Sequence, residues 1–345
     1  MLREHFRCMP EIIQWSARAF YDDRLISLRQ FGADRLNPLV LVEIKDAEVE
    51  GSGDRLVNIT EANELIGQVE KLVADPAYRD PVRTIGVIAL HSPQQVKYID
   101  DQLRQRLGPE DLQRFRIRVG MPPAFQGDQR HVMLLSMVYA QPVAAMTSRR
   151  HQRHYNVAVS RAEDQLWVFT SLPATATLPK GDMRAALLSY LRHPPRVLTV
   201  DPALDHADTD VLQVPFDSLL EQRVYLHLRQ AGYAVVHHHP INDRHVDLLV
   251  VGDQGQLGVH CDAPQPDLGP RELRDELQLH QVLIRSGWHI IRVRDSEYHY
   301  DPDTALAPLW AALAERGIEP RQLPANPRDK TVWVPPELSN NEDDE

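Results

Sequence analysis

Residues 120–161, GMPPAFQGDQRHVMLLSMVYAQPVAAMTSRRHQRHYNVAVSR, decide how the rest of the chain reads. His131–Val138 (HVMLLSMV) is a short, almost wholly apolar run, as expected of a strand buried on both faces. A Gly/Pro-rich loop ending in Phe125-Gln126-Gly127-Asp128-Gln129-Arg130 leads into it. A basic run, Arg149-Arg150-His151-Gln152-Arg153-His154, then opens a helix read as carrying Arg161. Loops at the ends of strands in an open α/β sheet are where ligands bind, so this stretch holds the first candidate site.

Outward from it, apolar runs and helix signals alternate. Pro38–Ile44, Thr84–Leu90, Arg116–Val119 and Gln165–Thr170 read as further strands. Asn58 with Glu61 three residues later is a capping-box-like start, and Ser92-Pro93 with Gln95 is another. Strand and helix in alternation predict a parallel sheet covered by helices. Residues 172–215 change character: LPATATLPKGD, one helical stretch near Met183–Leu191, then a Pro-rich segment that reads as a linker. From Phe216 an α-β-β-β-α-β order follows. It has a helix to Gln230, strands at Tyr233–His238, His245–Val251 and Gln256–Cys261, a helix around Pro270–Ser286, a strand at Trp288–Val293 and a helix at Asp303–Glu315.

The chain of 345 residues has room for about two domains, and its 43% hydrophobic content is ordinary for a globular protein. Cys8 and Cys261 are too few for a disulfide framework or a Cys-rich zinc site. A polar N-terminus and the lack of a long apolar run predict a cytoplasmic protein with no membrane partner. The net charge of −11 is unlike a dedicated nucleic-acid module, yet local basic runs bind phosphates within an acidic chain. The tail ending NEDDE reads as disordered.

FQGDQR resembles motif V of superfamily 1 helicases of the AAA type, and YNVAVSRAEDQLWV resembles motif VI. Leu2-Arg3-Glu4-His5-Phe6-Arg7-Cys8, with Glu11-Ile12-Ile13 and Phe20-Tyr21, resembles motif IV and its helix. The match runs in order over the first half of the chain. It implies the C-terminal RecA-like domain of such a helicase, over 1–195. The resemblance assigns Arg161 as the arginine finger, Arg7 as a second arginine facing the phosphates, and Gln126, Gly127 and Asp128 as the nucleotide-sensing loop. It implies ATP with Mg²⁺ as cofactor and DNA as partner. No GxxxxGK[ST] phosphate cradle occurs in the chain, so ATP turnover is expected only with a complementary N-terminal RecA-like half. Other readings stand beside these. Arg161 also reads as a salt-bridged surface residue, Gly127 as a turn, Asp128–Arg130 as a surface pair worth under about 1 kcal/mol, and Gln95 as a helix cap.

Phe216-Asp217-Ser218-Leu219-Leu220-Glu221, Val246-Asp247-Leu248-Leu249-Val250, His260-Cys261-Asp262 and Gly287-Trp288 resemble a restriction-endonuclease-like domain related to very short patch repair endonucleases. That family cuts DNA with carboxylate-bound metal. The resemblance implies a small α/β domain over 214–318, after a linker at 196–213 and before a tail at 319–345. By it, Asp247 and Asp262 are metal ligands for Mg²⁺ or Mn²⁺, and Glu221 is the helix acid. His260 stands where the family has glutamate, and Ala263 where it has glycine, which sets active and retired nuclease side by side. The triplet His237-His238-His239 is not expected to converge, because adjacent strand residues point to opposite faces. A rival to the helicase–nuclease reading is a non-catalytic DNA- or partner-binding remnant.

Overall fold

The computed structural model describes residues 4–33, 35–141, 144–194, 200–241, 244–262 and 281–321. The chain divides into two compact units, and chain order alone does not separate them. One comprises Arg7–Leu25 and Leu36–Pro195; the other gathers Met1–Phe6, Ile26–Arg35 and Arg196–Thr331.

The larger unit is built on five parallel strands. With β1 (Glu4–His5) and β2 (Ile26–Ser27) lying in the other unit, these are β3 (Leu39–Glu43), β6 (Ile85–Ala89), β7 (Arg118–Gly120), β8 (Arg130–Ser136) and β9 (Ala162–Thr170), in spatial order β3-β9-β8-β6-β7. A two-stranded ribbon, β4 (Val49–Glu50) and β5 (Val57–Asn58), precedes the first long helix. The apolar run at 131–138 is the central strand β8, as its composition requires: Val132, Met133, Leu134 and Leu135 are all fully buried. Helices α2 (Ile59–Ala74) and α4 (Pro93–Arg106) cover the face bearing Val87, Val132 and Leu134. Met133 and Leu135 alternate with these and are buried too, so both faces are covered. Helices α1 (Pro10–Phe20) and α6 (Arg149–Ser160) pack against β9, and α7 (Met183–Arg192) against β3. Two short helices, α3 (Pro76–Arg79) and α5 (Pro109–Arg114), complete the helical set of this unit.

Both capping signals are real, but their third residues act elsewhere. Asn58 accepts from Glu61 N (3.0 Å) and Ser92 from Gln95 N (3.2 Å), as N-caps do. The side chains of Glu61 and Gln95, by contrast, reach into the sheet. Glu61 Oε1 accepts from Ser136 Oγ (2.6 Å) and Val138 N (2.8 Å), and its Oε2 accepts from Ser171 Oγ (3.2 Å). Gln95 Oε1 accepts from Asn58 N (2.8 Å), while its Nε2 donates to Asn58 O and Ser136 Oγ, both at 3.2 Å. Asn58 Nδ2 donates to Val138 O and Ser171 Oγ, each at 2.9 Å. This dry network ties the carboxyl ends of β8 and β9 to two helix starts. It also holds Val138 at φ +68°, a region a β-branched residue rarely enters.

The smaller unit is a four-stranded mixed sheet in the order β10 (Ala234–Ile241), β11 (Arg244–Val251), β12 (Gln256–Asp262), β13 (Ile290–Arg294). The first two pairings are antiparallel and β12–β13 is parallel. One face packs on α8 (Leu219–Gln230) and the helix Pro302–Glu315, around Leu248, Val250, Leu257, Val259 and Val293. The other buries Leu28 with Val236, Leu249, Val251 and Trp288, and Trp288 Nε1 donates to Leu28 O (2.9 Å). This is why residues 26–35 belong with a sheet two hundred positions away. Residues 200–213, read as linker, are docked on α8. Asp205 accepts from Arg229 Nε (2.8 Å) and Tyr225 OH (2.9 Å), and Gln222 Nε2 donates to Val211 O (2.9 Å). Of the helix expected at 270–286, residues 281–285 are helical; Ala263, the first part of that helix, and the tail from 322 lie outside the described residues. Among the described residues no helix is long and apolar enough to cross a membrane.

Burial lifts the Glu61 carboxyl from 4.5 to about 7, against the lowering effect of its hydrogen bonds to Ser136, Val138 and Ser171. The folded state therefore binds the proton more tightly than the unfolded state. The resulting stabilisation is complete below pH 4.5 and is lost as pH rises through 7, a loss of roughly 3 kcal/mol from this group. Glu61→Gln keeps an acceptor without the proton. The difference in urea midpoint between wild type and variant should shift toward the variant from pH 4.5 to 7.5, with a flat difference contradicting a buried proton.

Candidate functional site

The first candidate site lies at the amino ends of β8 and β9, not at the carboxyl ends where an open sheet usually presents its ligand loops. The loop that enters β8 is a single 3-10 turn, Pro122–Phe125, pinned by the buried Phe125 ring. Gly127 follows at φ +83°, a conformation that costs glycine nothing. That turn aims Asp128 back over the sheet. Its Oδ2 accepts from Arg118 Nη1 (2.8 Å), its Oδ1 from Arg130 Nη1, and Gln129 N also donates to Oδ1 (2.9 Å). Burial would raise the Asp128 carboxyl, but the hydrogen bonds from Arg130, Arg118 and Gln129 outweigh it and hold it at about 2. The Asp128–Arg130 pair is thus not the surface pair its composition suggests, because the Arg130 side chain is only 7% exposed and also donates to Arg116 O (3.1 Å).

Arg161 sits immediately past α6 as its C-cap, where a cation also meets the negative end of the helix dipole. Its carbonyl accepts from Arg130 N (3.1 Å) and its Nη1 donates to Asp128 O (3.4 Å). Its Nε is buried with no hydrogen bond. Burial and then the Arg7 charge depress its pKa, so the two guanidinium groups share one field. Arg7 is exposed, and the segment behind it is fastened to the same corner: Cys8 Sγ donates to Ser160 O (3.5 Å), Met9 N to Glu163 O (2.9 Å). Arg7, Asp128 and Arg161, 154 positions apart at the extremes (161 − 7), are brought together; Gln126 and Gly127 lie exposed on the turn beside them. Two cations and an orphaned N–H make this corner fit an anion such as a phosphate.

In the smaller unit the ladder between β11 and β12 ends at Leu248↔Val259. Beyond it Asp247 takes over the backbone's role: Oδ2 accepts from Cys261 N (2.7 Å) and lies 3.1 Å from His260 Nδ1. Asp262 is 43% exposed at the side chain and lies 3.9 Å from Arg292 Nε. Among the described residues neither Asp247 nor Asp262 joins a set of three convergent metal ligands. Mg²⁺ requires several hard oxygen ligands, and this pair with His260 does not fit it.

Glu221, buried to 2%, gathers a different set. Its Oε1 lies 3.0 Å from both His237 Nε2 and His238 Nε2, and its Oε2 accepts from Asp217 N (2.8 Å). The expectation that neighbouring histidines diverge fails here for a definite reason. His238 adopts φ +48°, which breaks the alternation of β10 and turns its ring to the face already occupied by His237. The rings stack with centroids 3.6 Å apart, while His239 goes to the opposite face beside Trp288. Burial lowers the His239 pKa to about 4, with a smaller contribution from Arg35, so this third ring is neutral.

Comparison with known proteins divides the chain in sequence order. Residues 1–172 match the AAA domain family and residues 220–313 match the REase_MTES_1575 family. The replicase polyprotein 1ab of Alphamesonivirus 1 is 24% identical over 197 residues, 54% of this chain and 3% of the polyprotein, so the chain spans a small fraction of that relative. A solved structure, the C-terminal domain of a possible DNA helicase from Lactobacillus plantarum WCFS1, aligns at 13% identity with a TM-score of 0.30. That alignment covers 49% of this chain and 90% of the other.

Asp128→Asn removes the charge that both Arg118 and the buried Arg130 use. The expected cost is roughly 1.5–3 kcal/mol, the range for a charge-assisted hydrogen bond. The wild-type contribution is present above pH 3.8 and is lost as pH falls toward 2. Denaturant unfolding of the two proteins at pH 7 and pH 3 checks both statements, and equal stability at pH 7 would contradict them.

Proposed function

We propose that this chain, which joins the C-terminal RecA-like domain of a superfamily 1 helicase to a restriction-endonuclease-like domain, is the arginine-donating half of an ATP-driven motor acting on DNA. The observation that supports it best is the corner at the amino ends of β8 and β9. There the half-buried Arg161, with its unpartnered Nε, shares a field with Arg7 over the Asp128 turn. ATP with Mg²⁺ supplies the phosphoryl group to be transferred. The residues here hold positive charge where negative charge builds on that group. Asp128 occupies Arg118 and Arg130 through its side chain but engages Arg161 only through its carbonyl, which leaves the Arg161 charge for the phosphates. The phosphate cradle GxxxxGK[ST] is absent from the 345 residues, so it must come from outside them.

The test is ATP turnover with single-stranded DNA. The chain by itself should show none above background. Mixed with an N-terminal RecA-like half that carries the cradle, it should restore turnover, and Arg161→Ala should lower the restored rate by about 10³-fold. Strong turnover by the isolated chain, or restored turnover indifferent to Arg161, overturns the reading.

For the smaller unit we infer a nuclease-derived domain whose Mg²⁺-dependent cutting of DNA is weak or lost. In support, Asp247 is engaged by Cys261 N and a histidine nitrogen, and Asp262 faces outward. Plasmid nicking by wild type with Mg²⁺ should stay near background, and His260→Glu, which restores an oxygen ligand, should raise it. Strong wild-type nicking with Mg²⁺ that disappears in Asp247→Ala contradicts this.

A further inference from the structure

We infer that the smaller unit carries a binding site for a late first-row divalent metal ion, of the zinc or cobalt kind, made by Glu221 Oε1, His237 Nε2 and His238 Nε2. Its ligand set differs from the Asp247 and Asp262 carboxylates considered above, although Asp247 lies close enough to act on His238. Four observations converge on it. The three ligand atoms lie within 4.8 Å of one another, and the carboxylate oxygen is 3.0 Å from each imidazole nitrogen. Tetrahedral ligands bound at about 2.0–2.1 Å stand roughly 3.3 Å apart, so the spacing is that of a coordination sphere.

All three atoms are buried, and the carboxylate oxygen approaches both imidazole nitrogens at 3.0 Å outside good hydrogen-bond geometry. Buried polar atoms are almost always satisfied, and three atoms that face one another in this way fit a common partner. A cation between them supplies it. Glu221 is 2% exposed and the His237 side chain 8%, while the His238 side chain is 23% exposed.

The backbone is bent to build the set. Without the left-handed φ of +48° at His238, its ring would leave the α8 face, and such a conformation persists only where its surroundings over-determine it. The supports around the ligands are also in place. Glu221 Oε2 is oriented by Asp217 N (2.8 Å), and the Phe216 ring stands edge-on to His237 with centroids 4.7 Å apart.

The donor set selects the ion. Two imidazole nitrogens and one carboxylate suit zinc, cobalt or nickel, whereas magnesium takes oxygen ligands. Three protein ligands leave a further coordination position. Asp217 Oδ2, 3.4 Å from His238 Nε2 and 3.3 Å from His245 Nε2, forms a second trio that shares His238, with Asp217 on the exposed side.

The test uses the full chain, stripped with a chelator and dialysed against Zn²⁺, Co²⁺ or Mg²⁺ with the bound metal quantified. We expect close to one equivalent of Zn²⁺ or Co²⁺ and none of Mg²⁺. Co²⁺ should give visible d–d absorption, and Tm should rise with Zn²⁺ and with Co²⁺ but not with Mg²⁺. His237→Gln and Glu221→Gln should each weaken binding by about 100-fold, and Asp217→Asn by about 10-fold. His299→Ala, an exposed histidine elsewhere, should leave binding unchanged and controls for the chain's 16 histidines. Because Glu221 is buried and its variant is at risk of misfolding, the Co²⁺ spectrum of the wild type stands as an independent readout. A wild type without stoichiometric Co²⁺ or Zn²⁺ overturns the site. So does binding that survives both ligand substitutions, or that falls equally in His299→Ala.

Discussion

A parallel sheet covered by helices on both faces leaves its unpaired backbone groups and its charges only the strand ends, and the larger unit is arranged around that constraint. At the carboxyl ends of β8 and β9 the solution is a dry one. Glu61, Asn58, Gln95, Ser136 and Ser171 satisfy one another, and burial raises the Glu61 carboxyl to about 7. At the amino ends the solution is a charged one. Asp128 spends its carboxylate on Arg118 and Arg130, and Arg161 sits beside it in the field of Arg7. One end thus locks the scaffold and the other offers charge.

The smaller unit meets a similar difficulty by bending its backbone. Where the β11–β12 ladder stops at Leu248↔Val259, the Asp247 carboxylate stands in for a ladder carbonyl by accepting from Cys261 N. Opposite it on β10, His238 leaves β geometry, and two consecutive imidazoles face Glu221. The irregularity moves the polar chemistry of this domain away from Asp262, which sits at the exposed end of β12.

Much of the fold was legible because burial writes itself into composition. HVMLLSMV reads as a strand covered on both faces, and Asn58 and Ser92 announced helix starts that the structure keeps. The roles of Glu61 and Gln95 were misread for a physical reason. A side chain at the third helical position can reach back to its own cap or forward to the sheet, and only the position of β8 decides between them. The segment at 200–213 carries linker composition, yet Asp205 finds Arg229 and Tyr225 on a helix whose orientation is not a local property.

The residues of the candidate sites divide in the same way. Sequence by itself offered a turn at Gly127 and a helix running toward Arg161, and it determined that no phosphate cradle lies within the chain, because these depend on residue type and near neighbours alone. Only the tertiary structure decided that Arg7 and Arg161 share a field, that Arg130 is buried, and that His237 and His238 converge on Glu221. Each of these depends on a contact across many positions, or on a left-handed backbone at a residue whose side chain does not require it. Local propensity carries no signal for either, since the energy that selects them resides in the packing of distant elements.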